Sequence, residues 1–476
     1  MKKKFYVTTA IDYVNAKPHI GHAFEKVLAD ALVRWKKLKG QETWFLTGTD
    51  ENAQKNVQAA KEAKIPTKKF VGQNVKKFIE LCKKLDVDYD RFIRTTEEEH
   101  VKKSQEIFKA VYDKGEIYKG KYEGYYCTGC EGFKTDRDLV DGKCVEHDKE
   151  PEWMSEEAYF FKLSKYKDRI LKFAEKYIVP NSKKNEIVSR LKIEGLRDLC
   201  VSRTNLDWGI DSPIDKKFKI YVWFDALINY VSGSEDNWPA DVHVVGKGIN
   251  WFHSVIWPAM LMSAGYDLPK KLLVHGYLNT DGKKMSKSLG NVIDPLELIK
   301  KYGSDSVRYS LLRCSVFEDS DYSEEILIER HNNELADKLG NLILRVSTLA
   351  EKYGIEEVDF KKINVDIHID NVRDDVSDWM DKFEFDKALN STLAFVDTLN
   401  QWVQDKKIWE TGSKKDLFEL ATGIRLAAIL LWPFIPKTSE KIAKNFGFEI
   451  SWEDLNHPLE TIRIKKSEIL FKKISI

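Results

Sequence analysis

Two histidines flank a glycine near the start of the chain, in His19-Ile20-Gly21-His22. The segment follows the β-branched and aromatic run 5–9 and precedes apolar residues at helical spacing. It therefore predicts a turn from a strand into a helix. Backbone N–H groups and the positive end of a helix dipole bind anions at such a turn, and a glycine lets the ligand approach the backbone closely. The pattern predicts a phosphate site, although four residues alone are equally compatible with a helix cap that carries two surface histidines.

A second group of cations lies in the segment 284–288 (KMSKS), just after 281–283 (DGK). Gly282 indicates a turn, so Lys284 and Lys287 are predicted to lie on a loop. Two ammonium groups on a loop can close over a triphosphate and stabilise the charge that develops in the transition state. Such a loop is usually solvated surface, but its position after the histidine turn strengthens the prediction of a nucleotide site.

Three cysteines and a histidine follow the spacing Cys127-x2-Cys130-x13-Cys144-x2-His147. Two ligand pairs joined by a polar loop are typical of a tetrahedral zinc site. All four positions are filled, so the set predicts one structural Zn2+ rather than a catalytic one. Chance proximity is the alternative, and this spacing disfavours it.

These groups must be positioned by secondary structure, and apolar runs predict strands at 5–9, 43–47, 220–224, 242–245 and 272–274. Strand–helix–strand order with short connections predicts an α/β fold with a doubly wound parallel (Rossmann-like) sheet, split by an insertion that holds the cysteines. From about residue 322 onward helical patterns dominate, which predicts an α-helical bundle domain. The predicted segments are 1–115 and 216–270 for the two halves of the Rossmann-like domain, 116–215 for the connective insertion with its zinc knuckle, 271–325 for a linker region with the lysine loop, and 326–476 for the helical domain.

Composition limits the compartment and the class of partner. The 476 residues carry 77 Lys+Arg against 76 Asp+Glu, a formal net charge of +1, which excludes a polycation that coats nucleic acid but allows a local basic groove. The longest apolar run, 427–435, is shorter than the ~20 residues of a membrane span, and the N-terminal segment lacks the apolar region of a signal peptide. Three of the six cysteines lie within 127–144, which is typical of a metal clip in a reducing compartment. The sequence therefore predicts a cytoplasmic protein without a membrane segment, and a chain that ends soon after the bundle predicts a monomer.

The histidine turn and the lysine loop together resemble the two signatures of class I aminoacyl-tRNA synthetases, and the surrounding residues resemble the methionyl-tRNA synthetase family. The resemblance covers nearly the whole chain and includes the segments 47–51 (TGTDE), 201–203 (VSR), 221–226 (YVWFDA), 251–253 (WFH), 257–260 (WPAM) and 274–277 (VHGY). It implies an ATP-dependent, AMP-forming ligase. Such an enzyme converts L-methionine and ATP, bound with Mg2+, into methionyl-adenylate and pyrophosphate, and then transfers methionine to the 3′ end of tRNA(Met).

The resemblance also implies a role for particular residues. The implied catalytic residues are His19, His22, Asp50, Arg203, Lys284 and Lys287. The residues implied to bind ATP are His19, Gly21, His22, Lys284, Ser286 and Lys287. A methionine pocket, in which aromatic rings suit a thioether and Asp50 pairs with the α-ammonium, is implied for Ile11, Tyr13, Asp50, Trp223, Ala226, Leu227, Tyr230, Ile249 and His253. In the helical domain the positions implied to contact the tRNA anticodon are Asn341, Arg345 and Trp409.

Two positions depart from the family pattern, because Asn52-Ala53 stands where the family has His-Gly and Gly248 where it has an aspartate. Three other classes share part of the pattern. A small-molecule nucleotidyltransferase has the histidine turn but needs neither the zinc knuckle nor the helical domain, and a non-catalytic tRNA-binding homologue does not need intact lysines in 284–288. Sister synthetases for cysteine, leucine, isoleucine and valine share both signatures, whereas Trp223, Tyr230 and His253 favour methionine.

Overall fold

The computed structural model describes residues 3–134, 138–145, 148–204, 206–280, 282–284, 291–354, 369–456 and 464–475. Its strands are β1 Phe5–Tyr13, β2 Thr43–Asp50, β3 Arg91–Arg94, β4 Ile117–Cys127, β5 Gly132–Lys134, β6 Leu139–Val140, β7 Lys143–Cys144, β8 Glu152–Phe161, β9 Ile178–Val179, β10 Leu199–Cys200, β11 Ser202–Thr204, β12 Phe218–Ile220, β13 Val242–Gly246, β14 Lys271–His275, β15 Leu278–Thr280, β16 Lys283–Lys284 and β17 Ser320–Asp321. Its α-helices are α1 Ile20–Leu38, α2 Gln54–Glu62, α3 Thr67–Lys84, α4 Glu98–Asp113, α5 Lys167–Tyr177, α6 Asn181–Glu194, α7 Val222–Leu227, α8 Asn229–Ser232, α9 Trp257–Ala264, α10 Pro295–Tyr302, α11 Ser304–Leu312, α12 Glu324–Arg330, α13 Asn341–Tyr353, α14 Ile369–Asp381, α15 Phe385–Asp405, α16 Ile408–Thr411, α17 Lys414–Leu431 and α18 Pro436–Phe446. Phe252–Ile256 and His331–Gly340 are π-helical.

The chain divides into two compact units, each built from several segments. The first unit comprises Met1–Pro18, Thr43–Cys82 and Asp88–His275, and the second comprises His19–Glu42, Lys83–Val87 and Gly276–Ile476. The second unit thus includes helix α1, which follows the first strand in sequence. The finer division into five segments stays a prediction.

The first unit is built on a six-stranded sheet in the order β3-β2-β1-β13-β14-β9. Every neighbouring pair in it is parallel. Strand β1 lies beside β13, with Val7 opposite Val242, although the whole insertion separates them in sequence. The central strands are buried on both faces, as a parallel sheet covered by helices requires. The predicted α/β fold, with a parallel sheet split by an insertion and a helical C-terminal region, is confirmed.

The insertion contains the antiparallel pair β4–β8, with β5 and β10 at its sides, and the helices α5 and α6. The prediction for 220–224 is wrong, because β12 ends at Ile220 and Val222–Leu227 forms helix α7. All six residues of α7 are buried, and the run 220–224 has no polar residue whose spacing would separate a strand from a helix. The predicted insertion also contributes β9, which pairs with β14 as the last strand of the parallel sheet.

The second unit packs helix α1 against α11 and the C-terminal helices. Asp30 of α1 forms a fully buried ion pair with Arg308 of α11, at 2.7 Å. Arg308 also donates to the carbonyls of Leu85 at 3.1 Å, Pro433 at 2.8 Å and Phe434 at 2.9 Å. One guanidinium therefore fixes α1 to two other parts of its unit.

Among the helices that the structure describes, none combines the length and apolar character that crossing a membrane requires.

Candidate functional site

The histidine turn caps helix α1 in the second unit. His19 is the N-cap residue, and its Nδ1 accepts the N–H of Gly21 at 3.1 Å. The Nδ1 of His22 accepts the N–H of His19 at 3.0 Å, and the two rings lie 3.8 Å apart. A neutral imidazole whose Nδ1 accepts carries its proton on Nε2. Both histidines are therefore Nε2–H donors at the positive end of a 19-residue helix, which is an arrangement suited to phosphate oxygens.

Gly21 allows the ring of His19 to lie close to the backbone. A Cβ at Gly21 would lie 3.0 Å from Cε1 and 3.1 Å from Nδ1 of His19, so a larger residue would make the imidazole shift by a few tenths of an ångström.

The lysine loop begins after a turn at Gly282, whose φ is +68° and whose N–H donates to Asp321 at 2.9 Å. Lys284 ends strand β16, which pairs with β15. The side chain of Lys284, and Ser286 and Lys287 entirely, lie outside the described residues, so their contact with ATP stays a prediction.

The nine residues predicted for methionine all belong to the first unit, and the structure brings most of them together. Tyr13 and Asp50 are opposite one another at the ends of β1 and β2. The ring of Trp223, in α7, lies 6.3 Å from Tyr13 at 88° and 6.3 Å from His253 at 86°. Tyr230 completes the set through a 2.6 Å hydrogen bond to His253. Ala226 and Leu227 are buried in α7, while Ile11 and Ile249 are partly buried and pack against the same core.

The hydrogen bonds of His253 define the chemistry at the aromatic end of this pocket. Its Nδ1 lies 3.0 Å from the carbonyl of Ile249, so Nδ1 carries the proton and donates it. Its Nε2 then accepts from the hydroxyl of Tyr230. Behind Tyr230, burial holds the pKa of His243 well below its usual range, and Trp257 donates to its Nε2 at 3.3 Å. This end of the pocket is therefore uncharged.

The opposite end carries buried carboxylates. Asp50 is 2% exposed, and its Oδ1 accepts the N–H of Asn52 at 3.0 Å. Burial raises the pKa of Asp50 to about 8. Asn52 also donates from Nδ2 to Asp225, at 3.0 Å, and burial, together with the charge of Asp50, raises the pKa of Asp225 well above its usual range. The departure at Asn52 thus lies beside the residue predicted to bind the ammonium group.

Arg203 lies on β11, and its Nε donates to Glu156 at 2.9 Å. The guanidinium stands over the ring of Tyr126 at 4.3 Å. Its Nη1 is buried and has no hydrogen-bond partner in the described part of the chain. One donor thus remains for a carboxylate or phosphate oxygen, and that contact stays a prediction.

Cys127, Cys130 and Cys144 converge at the end of the β4 hairpin, with their three sulfur atoms within 4.8 Å of one another. The sulfurs of Cys130 and Cys144 are 3.5 Å apart. Ligands on a zinc tetrahedron with 2.3 Å Zn–S bonds are about 3.8 Å apart, so the cluster fits a metal ion. His147, the predicted fourth ligand, lies outside the described residues.

The predicted anticodon residues lie at opposite ends of helix α13. Asn341 is exposed and Arg345 partly buried, one turn apart at its start. Trp409, on α16, is 40% exposed, and its carbonyl accepts the hydroxyl of Tyr353 at 2.6 Å. Tyr353 ends α13, about 18 Å along the helix from Asn341. Trp409 therefore lies at the far end of α13 from Asn341 and Arg345, and the contact of all three residues with an anticodon stays a prediction.

Sequence reasoning missed Glu131, Asp225 and His243. Each is a polar residue buried near the pocket, and the only sequence signal was its position. His243 interrupts an apolar strand, Asp225 lies within 221–226, and Glu131 follows Cys130.

The family model "tRNA synthetases class I (M)" matches residues 5–147 and 136–347. The methionine–tRNA ligase of Caldanaerobacter subterraneus is 44% identical, over 100% of this chain and 80% of that protein. The methionine–tRNA ligase of Thermotoga maritima is 40% identical, over 94% and 76%. Mycobacterium tuberculosis methionyl-tRNA synthetase in complex with methionyl-adenylate superposes with a TM-score of 0.93 at 34% identity, covering 98% of this chain and 99% of that one. Its apo form gives a TM-score of 0.86 at 31% identity, covering 100% and 99%.

Proposed function

The chain belongs to the methionine–tRNA ligase family of class I tRNA synthetases, and we propose that it joins L-methionine to tRNA(Met) in two steps. In the first step, a carboxylate oxygen of methionine attacks the α-phosphorus of ATP, and the bond to the bridging oxygen breaks to release pyrophosphate. In the second, a terminal ribose hydroxyl of the tRNA attacks the methionyl carbonyl. AMP leaves, and the hydroxyl proton is released.

The first nucleophile is already ionised at neutral pH, so the chain needs no general base for activation. Its residues act by positioning and by stabilising charge. We assign the Nε2–H groups of His19 and His22 to the triphosphate, and Lys284 and Lys287 to the pyrophosphate oxygens. Gly21 and Ser286 contribute to the same nucleotide site, and Mg2+ accompanies ATP.

Methionine is assigned to the pocket in the first unit. Asp50 would pair with the α-ammonium, and the buried Nη1 donor of Arg203 would contact an oxygen of the carboxylate or phosphate. The thioether would lie among Tyr13, Trp223 and Tyr230, since aromatic rings contact sulfur favourably. The observation that carries this assignment is the polarity of the pocket, which has the buried carboxyl groups of Asp50 and Asp225 at one end and uncharged aromatic groups at the other.

The metal and the tRNA complete the proposal. Cys127, Cys130, Cys144 and His147 would hold one Zn2+, whose chemistry is structural because all four ligands come from the protein. Trp409, Asn341 and Arg345 are assigned to the unpaired anticodon bases, which proteins read by stacking and by hydrogen bonds to base edges. A cytoplasmic, monomeric enzyme is the corresponding expectation.

The test is pyrophosphate–ATP exchange measured with each of the twenty amino acids, followed by charging of tRNA(Met). Exchange should depend on methionine and exceed that with every other amino acid. Exchange with a different amino acid, or none at all, would refute the assignment.

A further inference from the structure

Glu131 directly follows the second cysteine of the cluster and is fully buried. Its φ is +51°, in the left-handed region that residues with a Cβ rarely adopt. At a buried residue, contacts that over-determine the conformation can hold the backbone in that region, and residues held in this way concentrate at functional sites.

Both carboxylate oxygens and the carbonyl of Glu131 accept hydrogen bonds. The backbone N–H of Lys55 donates to Oε1 at 2.7 Å, and the hydroxyl of Tyr126 donates to Oε2 at 2.7 Å. The hydroxyl of Tyr221 donates to the carbonyl of Glu131 at 2.5 Å. Glu131 therefore connects three parts of the first unit. Its side chain binds helix α2 and strand β4, and its carbonyl group binds Tyr221, the residue that precedes α7.

The residues around Glu131 also contact Trp223 and Tyr13 of the proposed methionine site, and Arg203. The carbonyl of the residue before Glu131 accepts the indole N–H of Trp223 at 3.3 Å. The Nζ of Lys55 donates to the carbonyl of Gly129 at 2.9 Å and stands 3.6 Å over the ring of Tyr13. The ring of Tyr126, which donates to Glu131, carries the guanidinium of Arg203 on its face.

We propose that Glu131 is a positioning residue of the methionine site, which fixes Trp223, helix α2 and Tyr126 relative to the cysteine turn. The inference rests on the proposed function and extends it to a residue that does not contact the substrate. A pocket whose lining side chains are ordered in advance binds more tightly, because binding no longer has to order them. Loss of this positioning should weaken the binding of methionine and leave the binding of ATP unchanged.

The test compares Glu131→Ala, Glu131→Gln and the control Asp141→Ala. Asp141 lies in the same insertion with a φ of +52°, but it is exposed. For each purified full chain we would measure KM for methionine and for ATP by pyrophosphate–ATP exchange, together with bound zinc and Tm. Glu131→Ala should raise KM for methionine about tenfold or more, because it leaves two buried donors without acceptors. KM for ATP and the zinc content should not change.

Glu131→Gln should restore KM for methionine to within about threefold of the parent, since its amide oxygen can accept from Lys55 and its amide N–H can donate to the hydroxyl of Tyr126. Asp141→Ala should behave as the parent. If Glu131→Ala does not fold, Glu131→Asp, whose shorter side chain cannot reach both donors, must raise KM for methionine selectively.

An unchanged KM for methionine would overturn the inference. Equal rises in both KM values, or loss of zinc in Glu131→Gln, would also overturn it by showing a general structural role. Failure of the proposed function is a separate result, because it would appear in the parent protein as an absence of methionine-dependent exchange.

Discussion

The affinity for methionine should increase as the pH rises from 6 to 8, because Asp50 must be ionised to pair with the α-ammonium group. Asp50 is almost completely buried. Burial is the largest cause that raises its pKa to about 8, and the charge of Glu131 acts in the same direction. The N–H of Asn52 and the charge of Lys55 oppose this rise but do not cancel it. In the protein without substrate, most Asp50 side chains are therefore protonated at pH 7.

The size of the effect follows from the fraction of protein that carries the ionised carboxylate. If only that form binds methionine, the apparent Kd exceeds the intrinsic Kd by a factor of 1 + 10^(pKa − pH). With a pKa of about 8, the factor is about 100 at pH 6, about 11 at pH 7 and about 2 at pH 8. The apparent Kd should fall about 50-fold from pH 6 to pH 8, which is roughly 2.3 kcal/mol of binding free energy. Binding near pH 7 should release close to one proton.

The pH dependence of folding stability has the opposite sign to that of methionine affinity. The pKa of Asp50 is higher in the folded than in the unfolded chain, so the folded state binds the additional proton between about pH 4 and pH 8. The contribution of Asp50 to stability is therefore lost as the pH rises through this range. Bound methionine offsets this loss of stability because its ammonium group pairs with the ionised carboxylate of Asp50. The increase in Tm that methionine produces should therefore be larger at pH 8 than at pH 6.

Titration calorimetry of the tRNA-free protein measures both quantities. The Kd is determined from pH 6 to pH 8, and buffers with different ionisation enthalpies give the number of protons released. Asp50→Asn is the control, because it should bind methionine weakly with no pH dependence in this range. A Kd that is constant within about twofold would mean that Asp50 is already ionised in the free protein and that burial does not raise its pKa into this range.

Three further predictions concern tRNA, metal and stability. Trp409→Ala should lower the rate of tRNA(Met) charging about tenfold or more, through the loss of stacking on a base, and should leave pyrophosphate–ATP exchange unchanged; equal charging by the variant would remove Trp409 from recognition. Cys130→Ser should reduce bound zinc, measured with a chromogenic chelator, and lower the Tm, and a full metal content would exclude Cys130 as a ligand. Arg308→Ala removes one of the two guanidinium groups that pair with Asp30 and the donor to three backbone carbonyls, and it should cost about 3 kcal/mol in urea unfolding, whereas a loss below about 1 kcal/mol would show that Arg34 or water compensates.

The central sheet could be predicted because its signals are local. The runs 5–9 and 43–47 with an amphipathic helix between them require parallel strands, and β1 and β2 are parallel neighbours. Strand β9 gave no signal, since two residues cannot show a period. The strand predicted at 220–224 overlaps the start of helix α7 because every residue of that run is apolar or aromatic, which leaves no period to separate a strand from a helix.

The contacts around the pocket were harder to predict than the pocket residues. The resemblance named Tyr13, Trp223, Tyr230 and His253, and the structure places them in one connected group. The partners of Glu131 come from positions far apart in sequence. Its role therefore depends on tertiary contacts, which a single sequence does not reveal.

The hydrogen bonds around His253 bear on how this pocket selects a thioether. The hydroxyl proton of Tyr230 is used in the bond to His253, and the neutral state of His243 behind it adds no charge. In the proposed methionine site the aromatic end would therefore bind its ligand by shape and by contacts between rings and sulfur, without a directed hydrogen bond from Tyr230. A pocket of this kind distinguishes an analogue that lacks the terminal methyl group by only about 10–200-fold. By the role proposed for Glu131, the ordering of Trp223 and its neighbours by Glu131 and the cysteine turn would add to this discrimination.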